Sequence, residues 1–165
     1  MGEIRLVRGL TPEHMRSLLK WANSGGEAFL RQFAGPKWRY PLTEAQVAAE
    51  MEEILSIMDG GAFVGIIQRF ARRDRSVHLG RFLIDPERKG AGIGTEALKR
   101  LCREIFSEGD VDSISLNVYL SNAPARRCYE KCGFRVVRVQ PEWSNCRMEL
   151  TDGNPLYSTD KEQSI

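Results

Sequence analysis

Asp85-Pro86-Glu87-Arg88-Lys89-Gly90-Ala91-Gly92-Ile93-Gly94-Thr95 is the stretch on which the reading of this chain turns. Before it, Val77 to Ile84 reads as a strand. After it, Thr95 to Phe106 carries Ala97, Leu98, Leu101, Cys102, Ile105 and Phe106 at helical spacing. A glycine-rich turn that opens a helix presents consecutive backbone N–H groups, and the helix dipole adds partial positive charge, so the place suits an anion such as pyrophosphate. Arg88 and Lys89 strengthen that reading. The plain alternative is three glycines making a tight connection, which the flanking cations and the position between strand and helix disfavour. A Walker A loop is excluded because no Gly-Lys-Ser/Thr follows. Gly92-Ile93-Gly94-Thr95-Glu96-Ala97 does match the dinucleotide pattern G-x-G-x-x-A. That motif, however, starts at the strand end, whereas Asp85 to Lys89 intervene here, and no acidic residue ends the following strand near Leu120.

Working outward, Ile4, Leu6 and Leu10 with Arg5 and Arg8 between them predict a short first strand, and Thr11-Pro12-Glu13 an N-cap with proline at the first helical position. A helix from Pro12 to Asn23 follows, carrying Met15, Leu18, Leu19 and Ala22 on one face and ending at Ser24-Gly25-Gly26. Phe29 to Tyr40 reads as loop or short helix, because Gly35-Pro36 and Pro41 break any period. Thr43-Glu44-Ala45-Gln46 resembles a capping box opening a second helix to about Glu52, with Met58 as an alternative end. Ile54 to Met58 and Ala62 to Ile67 then form a hairpin around Asp59-Gly60-Gly61. Arg72-Arg73-Asp74-Arg75 turns the chain into the strand Val77 to Ile84. On the far side of the glycine stretch, Ser113 to Leu120 is a strand with Ile114, Leu116 and Val118 on one face. Ser121-Asn122 caps a short helix, with Pro124 in its first turn and Gly133 past its end. Phe134 to Val139 and Cys146 to Leu150 are the last strands, and the tail from Asp152 is polar and frayed.

Composition narrows the class. The chain has 165 residues, 42% apolar and 28% charged, with 24 Lys+Arg against 22 Asp+Glu. That is one domain with a real core, with neither the composition of a disordered chain nor an apolar run long enough for a membrane span. A net charge of +2 is too balanced to suggest nucleic acid or membrane as the main partner. Arginine outnumbers lysine 18 to 6, which favours forked contacts to phosphate or carboxylate. Cys102, Cys128, Cys132 and Cys146 form no CxxC pair and have no histidine at zinc spacing, so no metal site is expected. The charged start carries no leader pattern, and Leu6 removes the myristoylation signal that Gly2 begins, so a cytoplasmic protein with reduced thiols is expected.

Lys89-Gly90-Ala91-Gly92-Ile93-Gly94 resembles the Q/R-x-x-G-x-G/A acetyl-CoA pyrophosphate loop of the GCN5-related N-acetyltransferase superfamily, with Lys89 where Arg or Gln is usual. Downstream, Val118, Asn122, Ala125, Tyr129-Glu130-Lys131 and Gly133-Phe134 resemble the same family's V-x-x-x-N-x-x-A-x-x-x-Y-x-k-x-G-F. Lys89 keeps the charge but loses the guanidinium fork. The resemblance implies a single α/β domain over residues 1–151, followed by the tail 152–165. The implied sheet is curved and mostly antiparallel, flanked by helices, with one splayed parallel pair at the cofactor cleft.

The same resemblance implies an N-acetyltransferase that uses acetyl-CoA as co-substrate and a primary amine as acceptor, by direct attack on the thioester, in a monomer or homodimer. Phe82, Leu83 and Ile84 would lend backbone groups to the pantetheine arm and the thioester carbonyl. Gly80 and Asn117 are possible markers of strand irregularity. The pyrophosphate would sit on Lys89, Gly90, Ala91, Gly92, Ile93, Gly94 and Thr95, with Asn122 beside the cofactor as well as capping its helix. Tyr129, a phenol protonated at neutral pH, is the candidate proton donor to the CoA thiolate. Against that stands simple core packing of a tyrosine on an amphipathic helix. His78 is the candidate base, since imidazole titrates in the useful range, with a surface or cross-strand role as the alternative. His14 is expected at the surface. Cys128 and Cys132 read as small buried hydrophobes rather than a redox pair or an acyl carrier. Trp21, Phe29, Phe33, Trp38 and Tyr40 lie in the segment with which the family shapes its acceptor cleft; core packing is the default reading of each, and an amine with an apolar body would fit if several lined a cleft beside Glu44 or Glu50. The rival reading, from another class, is a catalytically silent CoA-binding module.

Overall fold

The computed structural model describes residues 1–157. Its chain divides into two compact units, one of residues 1–71 and 79–97, the other of 72–78 and 98 onward.

The first unit opens with β1 (Ile4–Arg8) and α1 (Pro12–Ser24), whose first turn is closed by the Thr11 hydroxyl accepting from the His14 N–H at 3.1 Å. Glu27–Ala34 is a full helix, α2, where the sequence left loop or short helix open. Leu30 and Ala34 are buried on one side of it, so apolar spacing outweighs the nearby Gly35-Pro36, which only terminates the helix. By contrast, α3 is short, Glu44–Ala48, and passes through a 3₁₀ turn at Met51–Glu53 into β2 (Ile54–Asp59). β3 (Ala62–Arg69) returns antiparallel, pairing Asp59 with Ala62 around Gly60-Gly61, and β1 pairs along the other edge of β2. Met15, Leu18 and Ala22 of α1 pack with Leu30, Ala34, Trp38, Leu42, Val47, Ile54, Ile66 and Leu83 as one core cluster. His14 is half-buried, its ring stacked on Phe63 at 4.3 Å with Trp21 on the same ring at 5.2 Å, which corrects its expected surface place. An imidazole on the apolar stripe of α1 simply joins the aromatic packing.

β4 (Ser76–Ile84) alternates buried and half-buried along its length. Its first residues, Ser76 to His78, belong to the second unit. There Arg75 meets Asp112, Ser76 meets Ser113 and His78 meets Ser115 through hydrogen bonds at one constant offset, which marks a parallel pair with β5 (Ser113–Tyr119). β5 pairs antiparallel with β7 (Asn145–Thr151), and β7 with β6 (Arg135–Gln140). The strand order is β1-β2-β3-β4-β5-β7-β6, a mixed seven-stranded sheet in an α/β fold. The helices α4 (Ile93–Ser107) and α5 (Ala123–Lys131) complete the chain.

Fraying does not begin at Asp152. Its N–H donates to the Asp112 carbonyl at 2.7 Å, and Tyr157 is buried, its hydroxyl donating to the Cys132 carbonyl at 2.5 Å. One aromatic side chain in a polar segment is enough to dock it. Residues 158–165 of the expected tail lie outside the described residues.

Candidate active site

Between β4 and α4 the chain turns under local control. The Asp85 carboxylate accepts from the Glu87 N–H at 3.0 Å and its carbonyl from the Arg88 N–H at 2.8 Å, making a 3₁₀ turn of Pro86–Arg88. Gly90 and Gly92 then adopt φ of +84° and +82°. Both values lie in the left-handed region, where a Cβ collides with the following carbonyl, so glycine is required by backbone shape rather than by crowding. α4 begins immediately, the Glu96 N–H donating to the Gly92 carbonyl at 3.1 Å. Ile93 is buried beneath this turn while Lys89, Gly90, Ala91 and Gly92 are exposed. The Lys89 ammonium lies 5.4 Å from the Phe29 ring centroid. Gly94 lies against β4: a Cβ there would stand 3.4 Å from the Phe82 ring and 3.5 Å from Ile84. Phe82, Ile84 and the glycine loop are thus brought together within the first unit.

β4 is irregular just before these residues. Its pairing with β3 runs Ile66 to Leu83 and then Gln68 to Gly80, so a step of two on β3 meets a step of three on β4. The extra residue makes a bulge, and Arg81 within it has φ +46°. Gly80 borders this bulge against β3, and Asn117 pairs regularly with Arg147 on β7. The sequence reading passed over Arg81 itself. Its signal was there: in Val77, Leu79, Arg81 and Leu83, an arginine occupies the buried side of an alternating strand.

In the second unit, Asn122 caps α5 by accepting from the Ala125 N–H at 3.3 Å. Tyr129 is buried, its ring tilted against Phe134 at 6.3 Å, and burial raises its phenol above the usual tyrosine range. It therefore stays protonated at neutral pH. His78 is half-buried with Nδ1 2.8 Å from the Ser115 hydroxyl. Burial first, and the positive charge of Arg147 second, lower its pKa to about 4. It is neutral at pH 7, but its affinity for a proton is far below that of an ordinary imidazole. The Cys132 thiol is pushed up by its hydrogen bond with Cys128 and by burial, which disfavours a thiolate there. Among the described residues no group of His, Cys, Asp and Glu could hold a metal ion, and no helix is long and apolar enough to cross a membrane.

Of the aromatic residues between the first two helices and β2, Trp38 is buried core, whereas Tyr40 is exposed. Glu50 does not offer an open carboxylate. It accepts from Trp38 Nε1 at 2.8 Å and Gln68 Nε2 at 3.0 Å, and pairs with Arg81 at 2.7 Å. Burial would raise its pKa, but these bonds and the Arg81 charge outweigh it and hold the carboxyl below the usual range.

The model of the Acetyltransferase (GNAT) family matches residues 11–134. The chain belongs to that family. An uncharacterized N-acetyltransferase of Methanocaldococcus jannaschii is 35% identical over 66 residues, which are 40% of this chain and 42% of that protein; the chain therefore matches less than half the length of this curated relative. Solved structures share the GNAT fold. A GNAT-family acetyltransferase from Bacillus anthracis superposes with a TM-score of 0.76 at 14% identity, over 93% of this chain and 98% of that one. Spermidine N-acetyltransferase from Vibrio cholerae, solved with CoA and spermine, gives 0.71 at 18% identity over 90% and 95%. An aminoglycoside acetyltransferase solved with coenzyme A and kanamycin gives 0.68 at 22% over 91% and 95%.

Proposed function

We propose that this GNAT-family chain transfers an acetyl group from acetyl-CoA to a primary amine by direct attack of the amine on the thioester. The observation that carries the reading is the turn at Gly90 and Gly92. Its left-handed glycines open α4 with Lys89 alongside, and this combination of helix N-terminus, bare backbone and cation fits a pyrophosphate. In this reading the N–H groups of residues 90–95 and Lys89 hold the diphosphate, and the backbone of Phe82, Leu83 and Ile84 receives the pantetheine arm and polarises the thioester carbonyl. Asn122 borders the cofactor.

The neutral amine nitrogen bonds to the carbonyl carbon, the C–S bond breaks, the nitrogen gives up a proton and the CoA sulfur gains one. Tyr129 is the proposed donor to sulfur, supported by a phenol that burial keeps protonated. His78 is the proposed acceptor for the amine's proton, being neutral at pH 7, while its lowered basicity favours proton relay to water as the competing route. The Cys132 thiol, pushed up by its hydrogen bond with Cys128 and by burial, argues against Cys132 itself as an acyl carrier.

The test is a thermal shift with acetyl-CoA followed by free-thiol release over a panel of polyamines, aminoglycosides and peptide amines. The expected result is stabilisation by acetyl-CoA and acceptor-dependent thiol release with at least one amine class. Stabilisation without turnover on any acceptor supports a silent CoA-binding module instead, and no stabilisation overturns both.

A further inference from the structure

Arg81 combines two features that folding alone disfavours. It is a non-glycine residue in the left-handed region, and its guanidinium is almost wholly removed from water, the residue being 6% exposed. Glycine would suit the bulge better, and an apolar side chain would suit the core. What the arginine does instead is join separate pieces of the first unit. Nε donates to the Ala34 carbonyl at the end of α2 at 3.1 Å, and NH1 donates to Gln68 Oε1 on β3 at 2.9 Å and pairs with Glu50 at 2.7 Å. The Trp38 ring lies 4.2 Å from the guanidinium carbon, and Phe70 stands 6.0 Å away. The partners are themselves braced: Trp38 Nε1 donates to Glu50, and Gln68 Nε2 bridges Glu50 and Glu53. One planar cation thus ties Ala34, Trp38 and Glu50 to the bulge directly before Phe82, Leu83 and Ile84.

We infer that Arg81 is a positioning residue for acyl transfer: pinned by Glu50, Gln68 and Ala34, it holds the β4 bulge and the Ala34–Glu50 segment in one fixed arrangement, so that the backbone after it meets the thioester in register with the amine. The inference rests on the function proposed above. A planar fork fixes orientation through several bonds at once, which a lysine cannot reproduce. Small misplacements at a reacting centre cost rate far more than they cost ground-state binding of a long cofactor held elsewhere.

The test compares the wild type with Arg81→Gly, which fits the left-handed backbone but removes the pin, Arg81→Lys, which keeps charge without the fork, and Glu50→Gln, which keeps volume but discharges the partner. Each is assayed with acetyl-CoA and whichever of spermidine, kanamycin or a short peptide the wild type acetylates, well below its own melting temperature. The expected result is a fall in kcat of about tenfold or more in Arg81→Gly, smaller falls in the other two, and an acetyl-CoA Kd within about threefold of wild type throughout. A kcat within about twofold of wild type in the Arg81 variants overturns the inference, as does a Kd that weakens in proportion to kcat. Should the Arg81 variants fail to fold, Glu50→Gln decides on the same criteria. An inactive wild type would instead overturn the proposed function, which keeps the two failures apart.

Discussion

At the scale of single residues the sharpest separation of chemistry from packing lies at Tyr129. Tyr129→Phe keeps the ring against Phe134 and leaves the Asn122 cap untouched, so acetyl-CoA should bind nearly as before and stability should fall by no more than one hydrogen bond, about 0.5–1.5 kcal/mol. If the phenol protonates the departing thiolate, kcat falls by about 10²–10⁴, the usual range for losing a general acid. Intact kcat removes Tyr129 from the mechanism. Because burial raises this phenol, any alkaline limb from Tyr129 in the pH profile should lie above the ordinary tyrosine range. His78 makes an opposite kind of prediction. Its folded pKa of about 4 lies below the unfolded value near 6.5, so the unfolded chain takes up the proton first as pH falls. The stability it contributes is full above about pH 6.5 and is lost progressively down to about pH 4. Denaturation of the wild type and His78→Gln at pH 7 and pH 4.5 should therefore show the variant losing less, by up to about 3 kcal/mol. Equal losses would mean that His78 is not buried in its neutral form. For the same reason any limb that His78 adds to kcat/KM belongs near pH 4, not near 6.5.

At the scale of elements, the glycine turn and the helix behind it act as one piece. Gly92 has nothing within 4 Å of a built Cβ, so a larger side chain there is opposed by backbone conformation alone. Gly92→Val should cost about 1–2 kcal/mol if the left-handed φ is kept, and otherwise the turn reshapes and its N–H groups lose their common aim. Isothermal titration with acetyl-CoA should show the affinity falling at least about tenfold, with far-UV circular dichroism unchanged. Unchanged affinity in a folded variant would dismiss the loop as the pyrophosphate site. Lys89→Ala should weaken binding less and mainly at low salt, since an exposed ammonium is screened.

At the scale of the whole molecule, the segment leading to Tyr157 is part of the fold. Tyr157 sits in the second unit with its ring 5.9 Å from Phe106 and its hydroxyl on the Cys132 carbonyl directly after α5. Tyr157→Phe leaves that carbonyl without this donor, which should cost about 1 kcal/mol, or about 2–4 °C in Tm for a chain of this size. A scanning calorimetry trace that does not move would show that the contact adds nothing net. kcat should be unaffected when measured well below Tm, because the contact touches no proposed catalytic group.

What the sequence determined by itself was whatever depends on neighbours along the chain. Gly90 and Gly92 mark a tight turn because only glycine takes left-handed backbone freely, and Thr11 and Asn122 declare their caps because each bonds an N–H three residues ahead. Those short-range rules were enough to order the elements, to see the α/β pattern and to carry the family resemblance. Tertiary structure decided what depends on distant partners. The environment of His78 comes from Ser115 and Arg147, so its residue type suggested an ordinary imidazole and its burial produced a weak base. Glu50 looked available and is consumed by Trp38, Gln68 and Arg81. Arg81 itself spans from β4 to Ala34, 47 residues away, and a charge on the buried side of a strand has no meaning until the carboxylate, carbonyl and ring that compensate its lost hydration are in place around it.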